Sequence, residues 1–240
     1  MSDLGALARE LAAANRVLAH EGVVDAYGHV SVRHPNNPSR YLLSVSRSPE
    51  LVEPADIMAF HLDGRPLDDD ERPKYVERPI HGSIYEARPE VNSVVHNHAY
   101  DVLPFSITDV PLRPVIHSAR RMAGAAPVWD IGEKFGETDL LVSTMEQGRD
   151  LARCLGSGKV VLMRGHGCTI AGTSIADAVQ TAIYTMVNAR ILLSALTIAD
   201  PARVRYLSAD EIVAQASARS ELRGHNRAWE YLLRRAGVSL

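Results

Sequence analysis

Apolar positions recur along the chain in two rhythms, one helical and one extended. Leu4, Leu7, Ala8, Leu11, Ala12 and Leu18 follow the helical period, so residues 3–22 read as an amphipathic helix capped by Ser2 or Asp3 and stopped by Gly22. In AYGHVSVRHP, Val30 and Val32 alternate with Ser31 and Arg33, which is the pattern of a strand. Pro35 to Ser39 form a turn cluster, and Tyr41 to Val45 return as a second strand, which predicts a hairpin. A third strand is predicted over Ile57 to Leu62, ended by Asp63-Gly64. Asp68 to Glu71 make an exposed acidic loop. Pro79 suits the first turn of a helix that runs to Ala87 and stops at Arg88-Pro89.

The second half repeats the mixture. Strands are predicted at Val91 to His98, Leu112 to His117, Pro127 to Trp129, Val160 to Met163 and Thr169 to Ala171. A capping box formed by Ser143 and Glu146 opens a helix to Cys154, closed by Gly156. Ser174 with Asp177 caps the longest helix, 175–197, and Ser208 with Glu211 opens a final one. A basic tail, Arg223 to Arg235, follows and carries Trp229 and Tyr231. Helices and strands alternate without a regular βαβ repeat, which argues for one α/β or α+β domain around a largely antiparallel sheet.

Composition narrows the function classes. Hydrophobic residues make up 46% of the 240 and charged residues 23%, a globular balance. A net charge of −3 gives no electrostatic reason to expect nucleic acid or an anionic membrane. No unbroken apolar run approaches the ~18 residues of a membrane span, and the N-terminus shows no export signal. Cys154 and Cys168 stand apart, so a disulfide framework is not expected, and a cytoplasmic location is.

The candidate chemistry lies in the histidines. On an extended strand His96 and His98 project to one face, about 7 Å apart along the backbone. His166 follows another β-rich run in RGHG, and Glu77 stands where a helix begins. Imidazole and carboxylate suit one divalent metal ion: zinc, manganese, cobalt or iron(II). Three protein ligands with an open position make a catalytic rather than a structural site. His29, Arg47 and His117 are further candidates to face a pocket. Ser31 and Arg33 read as sheet surface or interface, His81 as a locally bonded helix residue, and His20, His34, His61 and His225 as surface.

These pieces, namely the GHVSVR strand, Glu77 in ERPIHGSIY, VVHNH and MRGHG before a long helix, resemble the class II aldolase/adducin family over nearly the whole chain. The resemblance implies a three-layer α/β/α sandwich for residues 1–207, with 208–240 as a helical tail packing on the same domain. It also implies a homotetramer with its sites at subunit interfaces, and Glu77, His96, His98 and His166 as the metal set. Where the sugar-phosphate aldolases of the family carry Gly-Asn, Thr-Gly and Ser-Ser, this chain has Gly28-His29, Ser46-Arg47 and Tyr75-Val76. Phosphate needs small residues and converging donors; Tyr75 and Val76 add bulk instead. These departures, with SRS and LRPVIH, are similar to the family's aryl decarboxylases, which act on hydroxypyridine dicarboxylates and dihydroxyphthalates.

The expected activity is therefore metal-dependent decarboxylation of a hydroxylated aromatic or pyridine dicarboxylate. His29, Ser46 and Arg47 would bind substrate, with Arg47 offering a fork to a second carboxylate. Glu77 or His117, or a group from a neighbouring subunit, would supply the proton. The rivals are an aldolase or epimerase on a sugar or hydroxy-ketone, an iron(II)-dependent oxygenase, and a non-catalytic assembly protein.

Overall fold

The computed structural model describes residues 3–218 and 227–238, so Ser2, Arg223 and His225 lie outside the described residues. Helix α1 (Leu4–His20) leads into strands β1 (His29–Arg33), β2 (Arg40–Ser44) and β3 (Ile57–His61). Helix α2 (Arg78–Ala87) precedes β4 (Ser93–Asn97). A long irregular stretch then reaches β5 (Val128–Trp129), α3 (Ile131–Phe135) and α4 (Met145–Leu155). The hairpin β6 (Val160–Met163) and β7 (Gly167–Gly172) is followed by α5 (Ile175–Ile198), α6 (Ala209–Ala218) and α7 (Arg227–Arg235).

Among the described residues the strands form one seven-stranded sheet in the order β3-β2-β1-β4-β7-β6-β5. Every neighbouring pair is antiparallel except β5 with β6, so the sheet is mixed only at that edge. Strand alternation divides the core in two. Val30, Val32, Val95, Leu162 and Ile170 face α1, α5 and α7, whereas Leu43, Val94, Val161, Met163 and Ala171 face α2 and α4. Each such side chain contributes roughly 1.5–3 kcal/mol on burial. The result is the expected three-layer α/β/α sandwich. With both faces covered, β1 and β4 are buried along their whole length.

Helix ends follow local chemistry. The Asp3 carboxylate accepts from Gly5 N–H to cap α1, and Ser174 caps α5 through Asp177 N–H. The box that opens α4 is Thr144 with Gln147, one residue later than Ser143 with Glu146. Helix α5 is long and apolar enough by composition to cross a membrane, with a mean hydropathy of 1.3. In the fold it packs on β4, β7 and α1 and keeps Gln180 and Asn188 buried.

Three expectations change. Residues 112–117 form no strand, because Pro111 and Pro114 lack ladder donors. Instead the Asn188 amide serves that backbone, accepting from Val115 N–H at 2.8 Å and donating to Arg113 O at 2.9 Å. The basic tail is helical over α7, where Trp229, Leu232 and Leu233 are buried and Arg227, Tyr231, Arg234 and Arg235 stay on the exposed side. Trp229 therefore packs into the core beside α1.

The third change concerns Ser31 and Arg33, which are buried rather than on the sheet surface. Arg33 donates to Val91 O, Pro38 O, Tyr85 O and Arg88 O at 2.7–2.9 Å, and so ties the end of α2 to the sheet. Replacing it strands several buried carbonyls. Arg33→Ala is expected to lower unfolding free energy by about 3 kcal/mol in urea titrations. Arg33→Lys should recover less than half, because one ammonium cannot span four diverging acceptors.

Candidate metal centre

The centre is built where the middle strands meet the start of α2. Antiparallel register sets His29 of β1 directly opposite His96 of β4. It also sets His96 opposite Thr169 of β7. His98 lies one residue past β4 on the same face. His166 sits on the turn that joins β6 to β7, held by its N–H to Met163 O. Glu77 is the residue before α2, but its side chain makes no helix cap. It points instead to the histidines and is 8% exposed.

Two glycines permit this crowding. Gly28 has φ of +101°, and a Cβ there would meet Val24 Cγ1 at 2.6 Å and His96 O at 3.1 Å. A Cβ on Gly167 would come within 2.2 Å of Asn97 O and 2.9 Å of the His98 ring.

The four candidate ligands converge, with one donor atom from each inside a span of 4.8 Å. His98 Nε2 is 3.0 Å from His96 Nε2 and 3.1 Å from His166 Nε2. Glu77 Oε2 is 3.3 Å from His96 Nε2 and 3.5 Å from His166 Nε2. Adjacent ligands about 2.1 Å from a common ion stand roughly 3.0 Å apart in octahedral and 3.4 Å apart in tetrahedral geometry. The four separations, 3.0–3.5 Å, lie close to these values.

The outer atoms point the same way. His166 Nδ1 donates to Leu140 O at 2.9 Å, which leaves its Nε2 with a free lone pair. Leu140 holds a left-handed backbone, φ +66°, at that point. Glu77 Oε1 accepts from Val142 N–H at 3.0 Å, leaving Oε2 for the cluster. Thr169 Oγ1 lies 3.4 Å from His96 Nδ1. One imidazole proton on His98 cannot bridge to two neighbours at once, so the set fits a shared cation better than a hydrogen-bond ring.

Electrostatics agree. Burial, with His96 and His166 beside it, pushes the His98 imidazole down to about 4. Burial opposes ionisation of Glu77, yet its contacts with His96 and His166 hold the carboxyl well below the ordinary range. Burial also works against a charged His166, but its contact with Glu77 outweighs this and raises it. The site thus carries the Glu77 anion and a neutral His98, and His166 would give up its proton on binding a divalent ion.

With that geometry in view, likeness to known proteins becomes decisive. Residues 9–193 match the family described as Class II Aldolase and Adducin N-terminal domain. The chain belongs to the class II aldolase family. Decarboxylase tropJ of Talaromyces stipitatus is 38% identical over 195 residues, 76% of this chain and 73% of that one. A 3,4-dihydroxyphthalate decarboxylase of Arthrobacter keyseri is 34% identical over 194 residues, 73% of each chain. The crystal structure of an aldolase II superfamily protein from Pseudomonas syringae superposes with a TM-score of 0.79 at 21% identity, over 98% of this chain and 94% of that one.

The remaining predicted residues divide. His29 lies beside the cluster, its ring centre 5.2 Å from that of His96. On its other side the Tyr75 ring is 4.5 Å away. The Tyr75 hydroxyl donates to Arg47 O and sits 3.3 Å from Ser44 Oγ and from Arg47 N. Tyr75 thus forms a wall beside His29. Ser46 is exposed and bonds through its backbone to Pro73 O. The Arg47 guanidinium pairs with Asp56 at 2.9 Å rather than pointing to the cluster. His117 is exposed and paired with Arg120, and no described contact joins it to the four ligands.

Sequence reasoning missed Leu140, Val142, Ser31 and the full role of His81. The first two act through backbone atoms, which leave no residue-type signal. The last two were visible as spacing, since Ser31 lies two from His29 on one strand face and Tyr85 lies four from His81 on one helix face.

One divalent ion per chain is the expected stoichiometry, read by elemental mass spectrometry after zinc or manganese loading. His98→Ala and His166→Ala should each lose most of it. The metal-induced rise in melting temperature should vanish with it, because binding to the folded state alone is what produces that rise.

Proposed function

We propose that the protein is a divalent-metal-dependent lyase that releases a carboxyl group as carbon dioxide from a hydroxylated aromatic or pyridine dicarboxylate. The observation that carries this reading is the convergence of His96, His98, His166 and Glu77 beside a wall made by His29 and Tyr75. Support comes also from two relatives above 30% identity that are named decarboxylases, one of them for 3,4-dihydroxyphthalate. Those four residues would hold a divalent ion, which would supply Lewis-acid stabilisation of the negative charge that develops as the carboxyl leaves.

The chain's own groups have separate tasks. The bond from ring to carboxyl carbon breaks, its electron pair stays on the ring carbon, and that carbon takes one proton. Glu77 stays ionised with one oxygen fixed by Val142 N–H, which suits a ligand and not a proton donor. With Glu77 held as a ligand, the proton comes from outside the four ligands, from His117, which is exposed beside Arg120, or from a group of a neighbouring subunit. The wall of Tyr75 and His29 favours a flat ring by shape and by its aromatic faces. Orientation against such a wall lowers the barrier by removing motions that do not lead to reaction.

Metal-loaded protein should release carbon dioxide from hydroxy-aryl dicarboxylates, and activity should fall to background after chelation and return with metal. Aldehyde release from sugar phosphates in the same panel, without carbon dioxide from any aryl acid, would replace this reading with an aldolase. Glu77→Gln should reduce turnover by two orders of magnitude or so, since it removes a preorganised charge.

A further inference from the structure

Behind His29 lies a buried polar chain that metal binding does not use. His29 Nδ1 is 2.6 Å from His81 Nε2, His81 Nδ1 is 2.6 Å from Ser31 Oγ, and Ser31 Oγ is 2.8 Å from the Tyr85 hydroxyl. His81, Ser31 and Tyr85 are at most 1% exposed, and His29 is 3% exposed. The elements make this arrangement straightforward. His29 and Ser31 share one face of β1, and His81 and Tyr85 share one face of α2 packed against it.

Proton counting gives the chain a direction. A buried hydroxyl must place its proton. Tyr85 has one acceptor in reach, Ser31 Oγ, because its other polar neighbour is the Val94 N–H, which only donates. Tyr85 therefore donates to Ser31. The single Ser31 proton then goes to His81 Nδ1, so His81 carries its proton on Nε2 and gives it to His29 Nδ1. His29 is left with its proton on Nε2. A doubly protonated His81 would turn Ser31 round and leave the Tyr85 proton without an acceptor.

His29 Nε2 has no protein partner among the described residues. It is also absent from the sealed, unpartnered side-chain atoms, which are those of Asn15, Glu21, Asn97 and Thr181. The atom is therefore not sealed, and the rings of Tyr75 and His96 lie beside its imidazole.

We propose that Tyr85, Ser31 and His81 are positioning residues that lock His29 in the Nε2–H tautomer, so that it presents a neutral N–H donor to an anionic oxygen of the substrate at the metal centre. This rests on the lyase reading for the identity of the substrate but not for the tautomer. A donor with no free lone pair discriminates for a carboxylate or phenolate oxygen and against a hydroxyl or amine proton. It cannot remove a proton from the substrate through Nε2.

The test uses zinc-loaded protein labelled with 15N in its histidine rings, studied by long-range 1H–15N NMR without substrate. His29 should show a protonated, pyrrole-type Nε2 and an unprotonated, pyridine-type Nδ1. In Ser31→Ala, the two His29 nitrogens should move toward averaged shifts while zinc stays at one per chain. Turnover should fall by about tenfold with little change in KM, and Ser31→Thr, which keeps the hydroxyl, should restore both signals. A wild-type His29 protonated on Nδ1 overturns the proposal, as does a Ser31→Ala protein with unaltered His29 shifts. If Ser31→Ala does not fold, the wild-type spectrum alone decides. A correct tautomer in a protein that releases no carbon dioxide from any aryl acid would sink the substrate assignment and leave the chain standing.

Discussion

The Nε2 of His98 stands within hydrogen-bond distance of both His96 Nε2 and His166 Nε2, with fewer protons than such contacts would need. Everything near the centre of the molecule is arranged to make that tolerable. Left alone, His96, His98 and His166 would rotate apart or exchange partners with water. They are held because their far sides are committed. His166 is bonded to the Leu140 carbonyl, Glu77 is fixed by the Val142 amide, and His96 is set in the middle strand between β1 and β7. A ring whose outer nitrogen donates to a carbonyl has only one place for its lone pair. Convergence at the centre is thus determined from the periphery.

That arrangement divides the two sides of the sheet. One side is closed by α1, α5 and α7 over the apolar sheet positions Val30, Val32, Val95 and Ile170, with Asn15, Gln180 and Asn188 buried among the helices. The other carries an apolar core around Tyr41, Val94 and Val161, but between β1 and α2 a polar layer replaces it. A buried polar group costs more than it returns unless each donor and acceptor is matched. The layer meets this condition through Tyr85, Ser31, His81 and His29 in sequence, with Arg33 closing the carbonyls at the end of α2. The apolar side therefore carries stability, and the polar side spends part of it on fixed orientations.

Much of this was legible from residue order. Alternation at Val30 and Val32, the helical spacing of α1, the Ser174–Asp177 cap and the VVHNH and RGHG strings locate the sheet, its main helices and the four candidate ligands. What was not legible has identifiable causes. Alternation says which residues share a face but not whether that face is covered, so Ser31 and Arg33 read as surface although α2 buries them. Thr144 and Gln147 compete with Ser143 and Glu146 for the same cap, and only the backbone path selects between them. An arginine fork attracts any carboxylate, and for Arg47 the near one is Asp56, nine residues on and brought back by β2 and β3. Partners that act through backbone atoms, as Leu140 and Val142 do, carry no signature in residue type.

The choice of guest turns on the wall more than on the metal cluster, because the same four residue types can serve enediolates and phenolates alike. A phosphate is a compact dianion that must be met by several convergent N–H and O–H donors. Around His29 the structure offers few of these. The Tyr75 hydroxyl is already engaged by Ser44 and the backbone of Arg47, and what Tyr75 turns toward His29 is its ring. The exposed backbone of Ser46 is bonded to Pro73, and the Arg47 guanidinium to Asp56. A flat guest loses little by meeting ring faces and gains a single directed donor at His29, whereas a sugar phosphate would leave most of its charge unmatched. On the proposed reading, the ring faces of this wall would suit a flat aromatic acid better than a compact phosphate.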